Sequence, residues 1–327
     1  MKHLKFLDGI RGIFCVWVVL FHFTYRYTEL FNNHFIFSFQ NGGKVGVFVF
    51  FMLSGFLTLL TANKYYEKGT FAWLKAKLLR LYPAYFIACV VIYGVLFYFP
   101  LKGVQPTFER FIKDLCMLPF LSGNVEGAHW YVFSLVTFYT AFSIIAKYKL
   151  QDKVWFYACV LGMTVLSSFL NRIHGADLYA EVLSFVTFYF FNIQLYSGLL
   201  LLKAIQLPGR FLWLFIVAIA FLSLKVSFVY VPLIAAFLYV AIRYSDRLSG
   251  VKKILEHPVL LFIAGVSYMW YLVHQNIGYM LMNQQLRYGF YPEIVPYISM
   301  LLTFLLAALL HFFVEKPMTE KLFFKKR

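Results

Sequence analysis

Two ionisable side chains, Arg11 and His22, stand inside the first apolar stretch of this chain, LDGIRGIFCVWVVLFHF. An unpaired charge in hydrocarbon costs several kcal/mol, so such residues mark functional sites unless a partner is found. The two are eleven residues apart. At 3.6 residues per turn that closes almost three turns, which places both on nearly one helix face, about 16 Å apart along the axis. Turned into a bundle, that face would form an inward polar stripe. Each residue also has a plainer reading. Arg11 could snorkel to the headgroups from one turn inside the helix, and His22 could be a neutral histidine bonded to a neighbouring helix. Asp8, three residues before Arg11, can cap the helix or pair with the guanidinium. The spacing marks a site without naming its chemistry.

Further polar residues sit in apolar surroundings. His274 is flanked by Gln275 and Asn276 and suits either a structural hydrogen bond or a substrate contact. Ser54-Gly55 reads as a small pair for close helix packing, in preference to a nucleophilic serine. Tyr82-Pro83 would kink a helix, and His311 and Glu315, one turn apart, can pair. The sequence has no phosphate-cradling glycine loop and no cluster spaced like metal ligands, so no metal is expected. Of the four cysteines, Cys15, Cys89 and Cys159 lie in apolar runs and Cys116 in a loop; no disulfide is expected.

The elements that must position these residues are membrane spans. The chain is 62% hydrophobic and 13% charged, with 40 Phe and 24 Tyr and a mean hydropathy of +0.73. Soluble domains are about 25% charged. The composition therefore demands lipid as solvent. At about 20 residues per span, ten spans are expected, near 8–25, 44–62, 78–99, 128–146, 154–170, 182–202, 211–224, 227–242, 258–282 and 295–314. The seventh and eighth are short and form a tight hairpin at Lys225. The basic start resembles a signal peptide, but Arg11 interrupts the apolar run and no small-residue cleavage site follows; it reads as a retained first helix.

The net charge of +16 invites a nucleic-acid partner, yet its distribution follows topology. With the N-terminus in the cytosol, outer segments hold eight Lys and Arg, namely Arg26, Lys44, Lys102, Arg110, Lys113, Arg172, Lys225 and Arg287; apart from Arg11, the other 21 of the 30 fall inside. That asymmetry places both termini in the cytosol. The expectation is an all-α polytopic bundle, one integral membrane domain over residues 1–327 with no appended soluble domain. The longest loop, around 100–127 with Pro106, Pro119 and the Ser122-Gly123-Asn124 turn, would be either a lid on an outward cavity or an ordinary connector.

The opening LKFLDGIRGIFCVWVVLFHF resembles the start of the membrane-bound acyltransferase-3 family, with its L-D-G-x-R-G and its later His. The likeness continues in order through Val47–Leu57, Lys77–Tyr85, Ser267–His274 and Val314–Pro317. It implies a ten-helix bundle that moves an acyl group, commonly acetyl from acetyl-CoA, to a carbohydrate hydroxyl. By that resemblance His22 is the catalytic histidine and Arg11 the essential arginine. Lys77 and Arg80, with Tyr82 beside them, match the basic motif at the third helix. The chemistry is coherent. A sugar hydroxyl is a poor nucleophile, and His is suited to take its proton. Arg and Lys suit the phosphates of CoA, and a pantetheine arm could bridge Arg11 and His22. One departure matters. Where relatives have Trp-Ser-Leu-x-x-Glu-x-x-Phe-Tyr, this chain reads from His129-Trp130 to Phe138-Tyr139 with Leu135 at the carboxylate position. The role of that Glu cannot be carried over. His129, Trp130 and Tyr139 become candidate acceptor contacts, although Trp130 equally suits an interfacial anchor.

The expected protein is thus an O-acetyltransferase of the bacterial cytoplasmic (inner) membrane, with lipid bilayer and carbohydrate acceptor as partners. Transfer could be direct or pass through an acyl-enzyme. The competing readings are a glycan or small-molecule exporter without acyl chemistry, or the same enzyme with a small-molecule acceptor or succinyl donor. The exporter reading is weakened by the lack of an internal repeat.

Overall fold

A computed structural model describes residues 4–33, 35–67, 69–117, 125–173, 178–245 and 247–324. Pro119 and the Ser122-Gly123-Asn124 turn lie outside the described residues, as do Lys2, Lys68, Lys325, Lys326 and Arg327 of the charge count. The described residues form helices and no strand. In lipid this is the expected outcome, because a helix satisfies its backbone polar groups within itself.

The helices are α1 (Lys5–Phe21), continued through a π-helical turn (His22–Arg26) into α2 (Tyr27–Phe31), then α3 (Gly42–Tyr66), α4 (Thr70–Tyr98), α5 (Phe108–Leu115), α6 (Trp130–Lys147), α7 (Val154–Ile173) and α8 (Leu178–Phe185). They are followed by α9 (Ile193–Gln206), α10 (Pro208–Lys225), α11 (Tyr230–Arg243), α12 (Ser249–Leu255), α13 (Pro258–Arg287), α14 (Val295–Leu310) and α15 (Lys316–Phe324). Among the described residues, eight helices or continuous helix runs are long and apolar enough to cross a membrane. A ninth span is the pair Glu181–Phe190 and Ile193–Gln206, bent by 41°. Asn192 causes that break, its side chain accepting from the Gln194 N–H at 3.0 Å as an N-cap does. The eighth expected span, 227–242, is the 14-residue α11, about 21 Å long and shorter than a full crossing. Pro83 lies inside α4 without ending it.

The residues group into two compact units, each gathered from separated stretches: Met1–Gly46, Leu78–Phe133 and Lys252–Arg327 in one, Val47–Lys77 and Ser134–Val251 in the other. In the first unit α1 runs parallel to α13 and in register with it. Contacts climb from Gly9 at Leu255 and Gly12 at Leu260, through Cys15 at Ser267, to Tyr27 at Asn283. Glycine makes this possible, because a Cβ on Gly9 would lie 1.8 Å from the Leu255 carbonyl oxygen. On its other side α13 meets antiparallel α14, with Trp270 Nε1 donating to Thr303 Oγ1 at 3.2 Å and Gln285 to Ser299 at 2.9 Å. Leu301, Leu305 and Leu309 of α14 face outward, as lipid contacts would.

In the second unit the same device joins α3 to α9. A Cβ on Gly55 would sit 1.9 Å from the Leu195 carbonyl oxygen, and one on Gly198 equally close to that of Met52. Buried rings of Phe138, Phe156 and Tyr196 fill the interior. Lys203 pairs with Asp152.

The glycine contacts make a directional prediction. Gly9→Ala should lower stability by about 1–3 kcal/mol through overpacking. Gly94→Ala, on α4 where a new Cβ meets nothing within 4 Å, should be neutral or favourable by up to about 1 kcal/mol. Thermal unfolding in detergent compares them; a Gly9→Ala chain as stable as the parent would refute the close approach of α1 to the Leu255 carbonyl at the end of α12.

Candidate active site

The π-turn begins at His22. Below it α1 is regular; within it Thr24 Oγ1 donates to the Leu20 carbonyl at 2.7 Å and accepts the Phe39 N–H at 3.0 Å. His22 is partly exposed, and its Nδ1 lies 3.0 Å from the Tyr279 hydroxyl. Its ring meets that of His274 edge-on, with centroids 4.9 Å apart. His274 is fully buried. Its Nδ1 donates to the Tyr271 carbonyl at 2.8 Å, so the proton of a neutral ring is on Nδ1. Its Nε2 is buried and has no hydrogen-bond partner among the described residues. A lone pair in that state is an available acceptor beside His22.

About 16 Å down the same helix, Arg11 Nη2 donates to the Ala264 carbonyl of α13 at 3.2 Å and lies 3.3 Å from Asp8 Oδ1. Asp8 is thus an ion-pair partner one turn away. Arg11 Nε is buried without a partner among the described residues, which suits a guanidinium with donor capacity left for an anion. Arg11 and His22 therefore face one partner helix, as their spacing implied. They are not joined by a continuous polar stripe, however. Cys15, Val18 and Val19 lie on that face between them and are buried, so the α1–α13 seam is polar at two ends and packed between.

The long loop is described at residues 100–117 and 125–127. Its helix α5 folds back along α4: Phe111 packs on Tyr93 with centroids 4.6 Å apart, Tyr85 donates to the Asp114 carbonyl at 2.6 Å and Tyr82 to that of Leu115 at 3.2 Å. Tyr85 is 13 residues from the end of α4, so the segment reaches about 20 Å along it. Tyr82, expected beside the donor phosphates, has an exposed ring held by this segment. The stretch 125–129 then docks on the middle of α13. Glu126 accepts the Asn276 N–H at 3.1 Å. His129 Nε2 donates to the Leu272 carbonyl at 3.1 Å, Tyr271 Oη donates to that of Ala128 at 2.8 Å, and Asn276 Nδ2 donates to that of Val125. These bonds grip residues 271–276, the turn that carries His274.

His129 is accordingly buried, with its Nδ1 3.8 Å from Cys89 Sγ. Both ring nitrogens are engaged inside the protein, so the expected acceptor contact is corrected to an anchoring one. Trp130 is half-buried and Arg80 exposed. In the second unit Lys77 lies over the rings of Trp73 and Tyr139, 5.5 and 5.1 Å from their centroids. Leu135 is buried there, as are Ser54's neighbours Leu53 and Gly55. Tyr279 and Glu126 were not found by sequence reasoning. Tyr279 lies five residues after His274, off its helix face, and Glu126 stands in a loop that hydropathy cannot place. Among the described residues no group of three potential metal ligands converges.

The chain matches the acyltransferase domain of the acyltransferase-3 family over residues 4–313, and it belongs to that family. It is similar to the peptidoglycan O-acetyltransferase OatA of Listeria monocytogenes, 27% identical over 45% of this chain and 21% of the relative. A Staphylococcus aureus protein named "Putative O-acetyltransferase" is 23% identical over 98% of this chain and 58% of its own length. The O-acetyltransferase OatA of Staphylococcus aureus is 28% identical over 44% of this chain and 21% of the relative. The chain thus spans only part of the curated relatives it matches. No solved structure matches significantly.

The inserted carboxyls make stability pH-dependent. Burial pushes Glu126 up to about 8 and Asp114 to about 6. Between the ordinary carboxylate value and these, the folded chain holds more protons than the unfolded one, so stability falls as pH rises. The melting temperature should drop from roughly pH 5 to pH 8, and Glu126→Gln should flatten the slope. A parent profile that rises over this window would contradict the burial of the two carboxyls.

Proposed function

We propose that this chain is a membrane-bound O-acetyltransferase, taking acetyl from acetyl-CoA and giving it to a hydroxyl of a surface polysaccharide or lipid-linked glycan. In this reading it lies in the bacterial cytoplasmic membrane as one functional domain, both termini in the cytosol, where CoA is available. The family membership and the names of the relatives support the reaction class; the charge asymmetry supports the orientation.

The observation that carries the mechanism is the His22–Tyr279 hydrogen bond. If Nδ1–H donates to the Tyr279 oxygen, Nε2 keeps its lone pair on a partly exposed edge of the ring. A base needs that tautomer, fixed by a partner on the other nitrogen. His22 would take the proton of the acceptor hydroxyl as its oxygen attacks the thioester carbonyl, and CoA would leave as the thiolate or thiol. Tyr279 orients the ring in the place where a carboxylate would stand in many such dyads, so the loss of the family Glu at Leu135 does not leave His22 without an orienting group. His274 borders the imidazole and closes one side of the site. Arg11, with Asp8 and the Ala264 carbonyl fixing its plane, would bind a phosphate of the donor. Lys77 and Arg80 are the further basic groups assigned to the donor by resemblance. Because the seam between Arg11 and His22 is packed, the pantetheine arm would have to pass beside α1 instead of between α1 and α13.

The test is release of free CoA and labelling of glycan by membranes given radioactive acetyl-CoA. His22→Ala should lower kcat by roughly 10²–10⁴-fold. Tyr279→Phe should lower it by roughly tenfold or more with little change in KM. Arg11→Ala should raise KM for acetyl-CoA by about tenfold or more. Full activity in folded His22→Ala protein would end the proposal.

A further inference from the structure

On the second unit, α7 and α10 share one end. The Tyr157 and Phe211 rings meet there with centroids 5.8 Å apart. Beyond that contact the two helices leave an open groove of about 520 Å³. Its wall on α7 is the helical stripe that runs from Ala158 through Gly162 to Phe169, and on α10 it is Trp213 and Leu214. Every side chain lining it is apolar. Gly162 forms its floor, since a Cβ there would meet no atom within 4 Å.

Three features say what fills it. First, the stripe from Ala158 to Phe169, twelve residues, is about 16 Å long, close to half of a hydrocarbon core of about 30 Å. A partner helix crossing the membrane would need a seam nearly twice that length, whereas one leaflet's acyl chains match it. Second, exposed Trp155 and Trp213 stand in the first two turns of α7 and α10. Tryptophans gather at the headgroup level, so the groove descends from an interface into the core. Third, that same end is basic. Lys153 immediately precedes α7, Arg210 lies in the first turn of α10, and Lys149 is nearby in the chain; all three are exposed. The neighbouring carboxylate, Asp152, is taken by Lys203, and no ion pair to Lys149, Lys153 or Arg210 is formed among the described residues. A basic rim above an apolar slot between spans is the complement of an anionic lipid headgroup above its chains.

We propose that the α7–α10 groove is a binding site for an anionic phospholipid, its acyl chain along the Ala158–Phe169 stripe and its phosphate at Lys153 and Arg210. The reaction proposed for His22 uses none of these residues, and the ligand is a membrane lipid, not a substrate.

Native mass spectrometry of the full chain in neutral detergent tests this, titrating phosphatidylglycerol and phosphatidylcholine with identical chains. The parent should hold one phosphatidylglycerol at least tenfold more tightly than any phosphatidylcholine. Lys153→Gln with Arg210→Gln, both on the surface, should weaken that lipid by roughly tenfold or more. Gly162→Leu, which puts a side chain into open space and favours the helix, should remove the tightly held molecule while circular dichroism stays unchanged. Equal affinity for the two lipids overturns the proposal, as does phosphatidylglycerol binding that survives both sets of substitutions. Loss of a concentration-dependent dimer in Gly162→Leu would also overturn it, assigning the groove to a second copy of the chain.

Discussion

The parallel contact of α1 with α13 is the constraint on which the rest of the candidate site depends. Helices in lipid gain little from hydrophobic burial against each other, so close backbone approach and shared polar groups must hold them. Gly9 lets the α1 backbone reach the end of α12 and Gly12 lets it reach α13, and the approach carries Arg11 to the Ala264 carbonyl and His22 to Tyr279. Two polar side chains that lipid would reject are thereby given partners from one helix. Had the chain placed larger residues at those glycines, the register of contacts from Leu255 to Asn283 would be lost along its whole length.

A second constraint acts on the middle of α13. The inserted segment carries Asp114, Glu126 and His129 into the interior, where irregular backbone is tolerated only when protein satisfies it. It is satisfied by α4 and by the carbonyl and N–H groups of residues 271–276. Those residues flank His274, whose Nδ1 donates to the Tyr271 carbonyl. The turn bearing one histidine of the site is therefore held by a loop, and the other histidine by a π-turn, so neither depends on helix geometry alone. Local departures from the regular helix at a site of this kind are common, since they re-aim side chains without breaking the span.

In the proposed reaction the distribution of polarity within the first unit would serve two tasks. Arg11 and Asp8 form an ion-paired end, His22, His274 and Tyr279 an end of hydrogen-bonded rings, and Cys15, Val18 and Val19 lie between them. A binding group for phosphate gains from charge and partial hydration, while a base that must act on a weakly acidic hydroxyl needs a fixed tautomer and a lone pair with access to substrate. The packed seam keeps the two environments distinct along a single helix.

The membrane class, the sites of the spans and the shared face of Arg11 and His22 were legible in the sequence, because hydropathy and the 3.6-residue period are local properties of the chain. The span at Tyr230–Arg243 was legible both as apolar and as short, whereas the bend at Asn192 was not legible, since capping by a side chain leaves no mark in hydropathy. Tyr279 as the partner of His22, Glu126 as a buried carboxyl and His129 as an anchor were decided only by tertiary structure. Each depends on residues about 140 to 257 positions apart in the chain, and no periodicity encodes which side chain a folded neighbour will bring. The sequence by itself determined which residues could not face lipid; only packing decided what they face instead, because a partner's identity is set by the register of two helices and not by either one alone.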